Sequence, residues 1–320
     1  MTTPRVSFIL PIHNAGKTLR ETLDSLFAQT FGDFEIIAVN DGSTDQTAGV
    51  LAQTPDPRLR VIARENRGLV ASLNEAIDAS KAELLARIDA DDICLPHRLE
   101  KQIAFLHANP HVGVVGSAII AFNNENEERI THAAFPAATL LFRSAIAHPS
   151  VMIRRKLLDA CNLRYRHPYH CAQDYDLWCR CIVRGICIMN LTDPLIRYRL
   201  HPGQITQAHA EPTQLEGEAI RAEFIQSLLP ATTGPELKLH NAIARHQLVP
   251  TEDFLSRAAA WLVHLAQSPA LEKFMSADSL LPVLTGRYVS ICRFARAHRL
   301  PFRETDLFTP HIRPGALDQG

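Results

Sequence analysis

The chain has 320 residues, 46 % of them hydrophobic and 21 % charged, and a formal charge of −1. These values suit a globular protein of about two domains, or one α/β domain with an extension, and provide no basic field for a nucleic-acid partner. No apolar run reaches the roughly 18 residues of a membrane span, and the first residues lack a signal-peptide layout, so a cytoplasmic protein is expected.

Val6-Ser7-Phe8-Ile9-Leu10-Pro11-Ile12 predicts a buried strand, broken by His13-Asn14-Ala15-Gly16. Leu19, Leu23, Leu26 and Phe27 recur at helical spacing, and Gln29-Thr30-Phe31-Gly32 ends that helix. Phe34 to Val39 reads as a second strand, followed by Asn40-Asp41-Gly42-Ser43 and a helix towards Ala52 that Ser43 or Thr44 would cap. Leu59 to Ala63 is a third strand, and Asn66-Arg67-Gly68 turns the chain into a helix carrying Leu69, Leu73, Ala76 and Ile77. The fourth strand, Glu83 to Ile88, delivers Asp89, Asp91 and Asp92, and Pro96 helps to start the next helix.

Strand and helix in alternation predict an α/β fold, a Rossmann-like, mostly parallel sheet flanked by helices. Such sheets bind ligands beyond the carboxyl ends of their strands. Asn14, Asp41, Arg64, Asn66, Asp89 and Asp91 all fall at or just past strand ends, so they should gather along one edge. No Gly-x-Gly-x-x-Gly follows the first strand and no Gly-x-x-x-x-Gly-Lys-Ser/Thr occurs, which removes the dinucleotide and P-loop signatures. Clustered carboxylates repel one another unless a positive charge sits between them, and a hard cation shared with phosphates is the obvious occupant. About one Asp-x-Asp is expected by chance in a chain of this length, so the motif gains meaning only from its surroundings.

Further on, Val112 to Gly116 and Ala118 to Phe122 predict a buried strand, Asn123 to Glu128 an exposed turn and Leu140 to Ile146 a helix. His148-Pro149-Ser150 leads into a strand, Val151-Met152-Ile153; His148 reads either as a ligand contact or as a structural histidine. Gln173-Asp174-Tyr175-Asp176-Leu177-Trp178 opens a helix whose Leu177 and Trp178 share an apolar stripe with Ile182. Arg197 to Gly203 is the last strand and its exit. Seven cysteines show no disulfide framework; Cys171, Cys179, Cys181 and Cys187 can be weighed as a zinc site, but free thiols are the simpler expectation.

Beyond about Pro212 the texture changes. Leu215 to Leu229, Pro235 to Gln247, Thr251 to Gln267 and Ala277 to His298 predict amphipathic helices separated by Pro or Gly. The expected organisation is a catalytic domain over 1–211, with halves of about 1–110 and 111–211, and a helical extension over 212–320. Arg287, Arg293, Arg296 and Arg299 beside Val289, Ile291 and Phe294 would suit peripheral contact with the inner face of an anionic membrane, although such arginines are usually a solvated face.

Four ordered motifs carry a resemblance: Pro11-Ile12-His13-Asn14-Ala15; Asn40-Asp41-Gly42-Ser43-Thr44-Asp45; Asn66-Arg67-Gly68 through Asn74 and Ala76; and Asp89-Ala90-Asp91-Asp92 with Pro96, Arg98 and Leu99. Together they resemble the inverting family 2 glycosyltransferases of GT-A fold, over about residues 5 to 205. The resemblance implies metal-dependent transfer of a sugar from a nucleotide diphosphate, with a UDP-sugar the expected donor, to a hydroxyl of a glycan or lipid-linked acceptor in surface polysaccharide or glycolipid synthesis. It implies that Asp41 reads the base, through the imide N–H of uracil or the donors of guanine. Pro11, Asn14, Arg64, Asn66 and Gly68 would line that pocket, Asp89 would meet the ribose hydroxyls or a metal-bound water, and Asp91 and His201 would ligate Mn²⁺ or Mg²⁺. Asp92 would cap a turn or touch the sugar, and Asp174 would be the general base, although Gln173 stands where the family usually has Glu.

Bland alternatives stay open: Asp41 as a turn residue before Gly42, Asp174 as a helix cap. Two rivals remain as well. A sugar nucleotidyltransferase should open with a Gly-rich phosphate loop, which Pro11 to Gly16 is not, and a non-catalytic sugar-nucleotide or glycan binder would follow if Gln173 marked a decayed site.

Overall fold

A computed structural model describes residues 3–123, 126–130, 137–201, 204, 210–302, 305 and 307–311. The chain begins with β1 (Val6–Ile12), α1 (Leu19–Phe27), β2 (Phe34–Asp41), α2 (Thr47–Ala52), β3 (Leu59–Arg64), α3 (Leu69–Ala79) and β4 (Leu84–Arg87). These four strands lie parallel in the order β3-β2-β1-β4. β1 is buried at every position, which is why it reads as an unbroken apolar run rather than an alternating one. α1 turns Leu19, Leu23 and Leu26 onto the sheet, and each is fully buried.

Past β4 the pairing changes. β4 meets β8 (Met152–Arg154) antiparallel, β8 meets β6 (Val112–Phe122) antiparallel, and β6 runs parallel to β9 (Cys187–Arg199). The two-residue β5 (Ile93–Cys94) closes the far edge against β9, and β7 (Glu127–Ile130) adds to β6. The expected parallel sheet is thus the first half of the molecule, and the second half is mixed. Parallel neighbours need a long crossover between them, whereas antiparallel neighbours do not. α4 (Arg98–Ala108), α5 (Arg155–Ala160) and α6 (Gln173–Val183) complete this part of the chain.

Two local expectations are corrected, and one is kept. Leu140 to Ile146 forms a single 3-10 turn at Thr139–Leu141; Leu140, Leu141, Phe142, Ala145 and Ile146 are all buried, so the run lacks the exposed face of an amphipathic helix. In the turn expected at Asn123 to Glu128, Glu127 already opens β7, while Asn124 and Glu125 lie outside the described residues. The seven cysteines are free thiols, and among the described residues no metal-ligating cluster includes one.

The chain divides into two units, Met1–Pro136 with Ala145–Glu216, and Ala137–Ser144 with Gly217–Gly320. The division falls inside α7 (Ala210–Leu228). The second unit adds α8 (Gly234–Ala244), α9 (Glu252–Ala266), α10 (Pro269–Glu272) and α11 (Ala277–Ala297). Its core holds Phe224, Trp261, Leu262, Tyr288 and Ile291. Ile291, expected on a lipid-facing surface, is therefore interior, and Arg287 lies 4.9 Å over the ring of Phe142. No described helix is long and apolar enough to cross a membrane.

Candidate active site

The carboxyl ends of β1 to β4 bring the expected residues to one edge of the sheet. Asn14, with φ of +51°, donates its N–H to Ser43 Oγ at 3.0 Å and accepts from Thr44 N–H at 2.8 Å. Ser43 and Thr44 are therefore engaged by the first loop and do not cap α2. Asp45 takes that part: its carboxylate accepts Thr47 N–H at 3.0 Å and Gly16 N–H at 2.8 Å. The Thr47 hydroxyl bond is the chief cause holding Asp45 below the usual carboxylate range. Gly42 has φ of +67°, and a Cβ there would stand 2.6 Å from Asn66 N, so the close crossing of these loops requires glycine.

Asp41 is buried beneath this crossing. Its carboxylate accepts Arg67 N–H and Gly68 N–H, each at 2.8 Å, and pairs with Arg64. Arg64 in turn pairs with Glu75 and donates to Ser72 Oγ at 3.0 Å. Asp41 and Arg64 thus shape the β3–α3 turn as a buried ion pair, and Gly68, with φ of +85°, starts α3. Pro11 is buried within β1. The exposed groups are His13, Asn14 and Asn66. His13 Nδ1 lies 2.8 Å from the carbonyl of Asp41, which makes Nδ1 the protonated nitrogen and leaves Nε2 to accept from Asn14 Nδ2 at 3.2 Å. Asn66 Nδ2 approaches the same Nδ1 at 3.2 Å. His13 belongs to the first motif but has no role implied by it; its position directly after a buried strand is the signal that marks it.

At the end of β4 the acidic residues form one group. Ligating oxygens of Asp89, Asp91 and Asp92 all lie within 4.8 Å of one another. Asp89 pairs through both oxygens with Arg87, which is 4 % exposed. Burial pushes the Asp89 carboxyl up to about 6 against the pull of Arg87, with Asp91 and Asp174 adding to the rise. Asp92 closes the turn after β4, its N–H donating to the Asp89 carbonyl at 3.3 Å, and its side chain is fully buried. One of its oxygens accepts Arg199 N–H at 2.9 Å and the other has no hydrogen-bond partner. Burial and the two neighbouring aspartates raise its pKa well above the ordinary value. Asp91 meets His201 Nε2 at 2.8 Å, bringing together residues 110 positions apart.

This donor set fits a hard divalent cation: three carboxylates, one with an orphaned buried oxygen, and an imidazole beside them. Around it stand residues to which sequence reasoning assigns no role. Arg98, a member of the fourth motif, is fully buried and donates to the carbonyls of Arg87 at 2.7 Å and Val151 at 3.1 Å, tying β4 to the chain before β8. Arg199 donates to the carbonyl of Asp91 at 2.8 Å. Pro202 and Gly203 lie outside the described residues.

Asp174 occupies the first turn of α6, and its charge helps to raise the pKa of both Asp89 and the buried Tyr165 phenol. Gln173 is buried, and its side-chain oxygen lacks a partner. His148 is buried with Nε2 2.8 Å from Tyr165 Oη, and burial holds its pKa well below the usual value, in keeping with the structural reading. Leu177 and Trp178 are core residues, each 0 % exposed.

A model of the family described as Glycosyl transferase family 2 matches residues 7–172, just over half of the chain. The chain belongs to this family. Among its relatives, the O-antigen biosynthesis glycosyltransferase WbnJ of Escherichia coli is 32 % identical over 61 % of this chain and 80 % of its own. The amylovoran biosynthesis glycosyltransferase AmsE of Erwinia amylovora is 30 % identical over 60 % and 75 %. Among solved structures, S. aureus TarS 1-349 in complex with UDP-GlcNAc superposes with a TM-score of 0.62 at 20 % identity, covering 92 % of this chain and 88 % of that one. The family 2 glycosyltransferase described here is therefore an enzyme of GT-A fold with a helical C-terminal region. Family membership also sets aside the nucleotidyltransferase.

Proposed function

We propose that this glycosyltransferase is metal-dependent and inverting, and moves a sugar from a nucleotide diphosphate, with UDP the first choice, to a hydroxyl of a glycan or lipid-linked acceptor. The observation that carries the reading is the acidic cluster with its orphaned oxygen, His201 hydrogen-bonded to Asp91, and Asp174 near enough for its charge to raise the Asp89 pKa. Asp91 and His201 would hold Mn²⁺ or Mg²⁺, and a bound cation supplies charge withdrawal from the leaving diphosphate, worth several kcal/mol. Asp89, clamped by Arg87, would meet the ribose or a metal-bound water. Asp174 accepts the acceptor hydroxyl's proton as its oxygen attacks the anomeric carbon opposite the leaving group. A place in the first turn of α6 favours its ionised form.

The base pocket is the ground of Pro11, His13, Asn14, Asp41, Arg64, Asn66 and Gly68. With Asp41 and Arg64 satisfied from within, the exposed amides of Asn14 and Asn66 lie nearest solvent, and Asp41 keeps acceptor capacity for one imide N–H. The UDP-GlcNAc complex of TarS supports uracil, and the GDP-Man and Mn²⁺ complex of a Pyrobaculum calidifontis mannosyltransferase (TM-score 0.50) keeps guanine in view and supports the metal. The names of AmsE and WbnJ, amylovoran and O-antigen biosynthesis glycosyltransferases, support a polysaccharide acceptor.

Calorimetric titration of UDP and GDP, with and without Mn²⁺, into wild type and Asp91→Ala tests the donor site. Manganese-dependent UDP binding lost in Asp91→Ala is the expected result; GDP preferred over UDP overturns the donor, and no nucleotide binding overturns the site. Asp174→Asn should bind the donor normally while turnover falls by about 10²- to 10⁴-fold.

A further inference from the structure

The segment that carries Asp174 is anchored from outside its own helix. Ala172 stands at the N-cap of α6, where no side-chain cap is made, and alanine is among the poorest residues there. The chain leading into that N-cap is instead held by Glu216 on α7, 44 residues beyond Ala172. One Glu216 oxygen accepts His170 N–H at 2.9 Å; the other accepts Cys171 N–H and Ala172 N–H, both at 2.8 Å. Three successive N–H groups thus converge on one carboxylate, in charge-assisted bonds roughly twice as strong as neutral ones. Thr213, one turn earlier on α7, bonds to the Cys171 side chain, so the same helix face meets the loop twice. The other end of the loop has separate fastenings. Tyr165 exchanges two bonds with the Asn74 amide, at 2.8 and 3.0 Å, and Arg166 pairs with Asp176 at 2.7 Å. The backbone N–H groups of residues 170–172 are held by Glu216.

We infer that Glu216 is a positioning residue for Asp174: it fixes the start of α6, two residues before the base, in the orientation that presents the carboxylate to the acceptor hydroxyl. Without that anchor the first turn of α6, which holds Asp174 as its second residue, frays. A displacement of about 1 Å in a reacting group costs up to ~10²-fold in rate. The inference rests on the assignment of Asp174 as base. It lies entirely within the catalytic unit, which ends at Glu216.

A kinetic double-mutant cycle on the full chain tests it. Glu216→Ala should lower kcat by about 10- to 100-fold and leave the donor KM unchanged, since the donor site does not depend on this loop. Glu216→Gln keeps one carbonyl oxygen and should fall between wild type and Glu216→Ala; it also serves if the alanine variant does not fold. In an Asp174→Asn background, Glu216→Ala should cost nothing further, because residues that act through one another are not additive. A merely structural role would multiply the two losses. Such multiplication, a wild-type kcat in both Glu216 variants, or a donor KM that rises in step with the fall in kcat would overturn the inference. Wild-type turnover in Asp174→Asn would remove the base assignment and the inference with it, an outcome distinguishable from failure at Glu216 alone.

Discussion

Asp92 in the catalytic unit and His240 in the helical unit are both withdrawn from water, at 0 % and 1 % exposure. Asp92 keeps one oxygen without a partner and has two carboxylates beside it. His240 uses both ring nitrogens: Nε2–H donates to the carbonyl of Leu141 at 2.7 Å, and Nδ1 accepts from Trp261 Nε1 at 3.0 Å. The pattern extends beyond this pair. In the helical unit Arg221 donates to Asn241 at 2.7 Å, and the unpartnered buried atoms among the described residues are two neutral hydroxyls, of Ser144 and Thr285. In the catalytic unit Arg87 Nε, Gln173 Oε1 and the core Trp178 Nε1 join Asp92. An unsatisfied buried group costs free energy, so a stable fold retains it where a ligand will supply the partner. The buried His240 and Arg221 of the helical unit are satisfied from within, whereas Asp92 lies in the acidic cluster, where an arriving cation would supply the missing partner.

The sharpest way to break this contrast is Asp92→Asn. It should cut metal-dependent turnover by about a thousandfold. The same substitution should stabilise the metal-free protein by about 1–2 kcal/mol, because a charge held at a cost is removed. Thermal melts in chelator decide the point: a lowered midpoint would show that the carboxylate is not held at a cost.

Acid should separate the units next. Burial draws the His240 pKa from 6.5 down to about 4. The unfolded chain takes up a proton near 6.5 that the folded state refuses until about 4. Stability from this group is therefore present above pH 6.5 and lost as pH falls through that window, on the order of 2–3 kcal/mol. Asp89 has the opposite sign, since its raised carboxyl binds a proton in the fold first, and buried His148 offsets it. The catalytic unit should accordingly respond less. The two tryptophans fall one in each unit, so urea unfolding of Trp178→Phe followed by Trp261 emission reads the helical unit alone. An acid-insensitive midpoint there would contradict the depressed pKa.

The smallest effect belongs to the helical unit's surface. Thr233 and Glu236 form a reciprocal capping box at the start of α8. Thr233→Ala should cost about 1 kcal/mol by urea titration and leave donor binding and turnover unchanged.

Much of the first half was legible because its signals are local. β1 to β4 are apolar runs ended by Asn, Asp, Arg or Gly, and α1 and α3 show apolar residues at helical spacing. The long helices past residue 210 were legible for the same reason. β5, two residues long, carries no periodicity, and Leu140 to Ile146 is mostly buried, with only Arg143 exposed, so it shows no helical stripe. In the candidate site, Asp91, Asp174 and His201 were singled out from motif and position. Arg87, His13 and Glu216 were given no role, because an arginine before an acidic turn, a histidine after a strand and a glutamate on a helix are ordinary in themselves.

By itself the sequence determined most of the strands and helices of the first half and the long helices past residue 210, and that carboxylates and amides stand at strand ends, because these follow from side-chain periodicity and turn chemistry within a few residues. Only the tertiary structure decided that the sheet turns mixed after β4, that Asp92 is buried and half-satisfied, that His201 reaches Asp91, and that Glu216 anchors the loop before Asp174. Those facts depend on which distant backbone groups come within hydrogen-bonding distance, and on how far burial withdraws a charge from water. Both are properties of the packed chain, and no stretch of a few residues contains them.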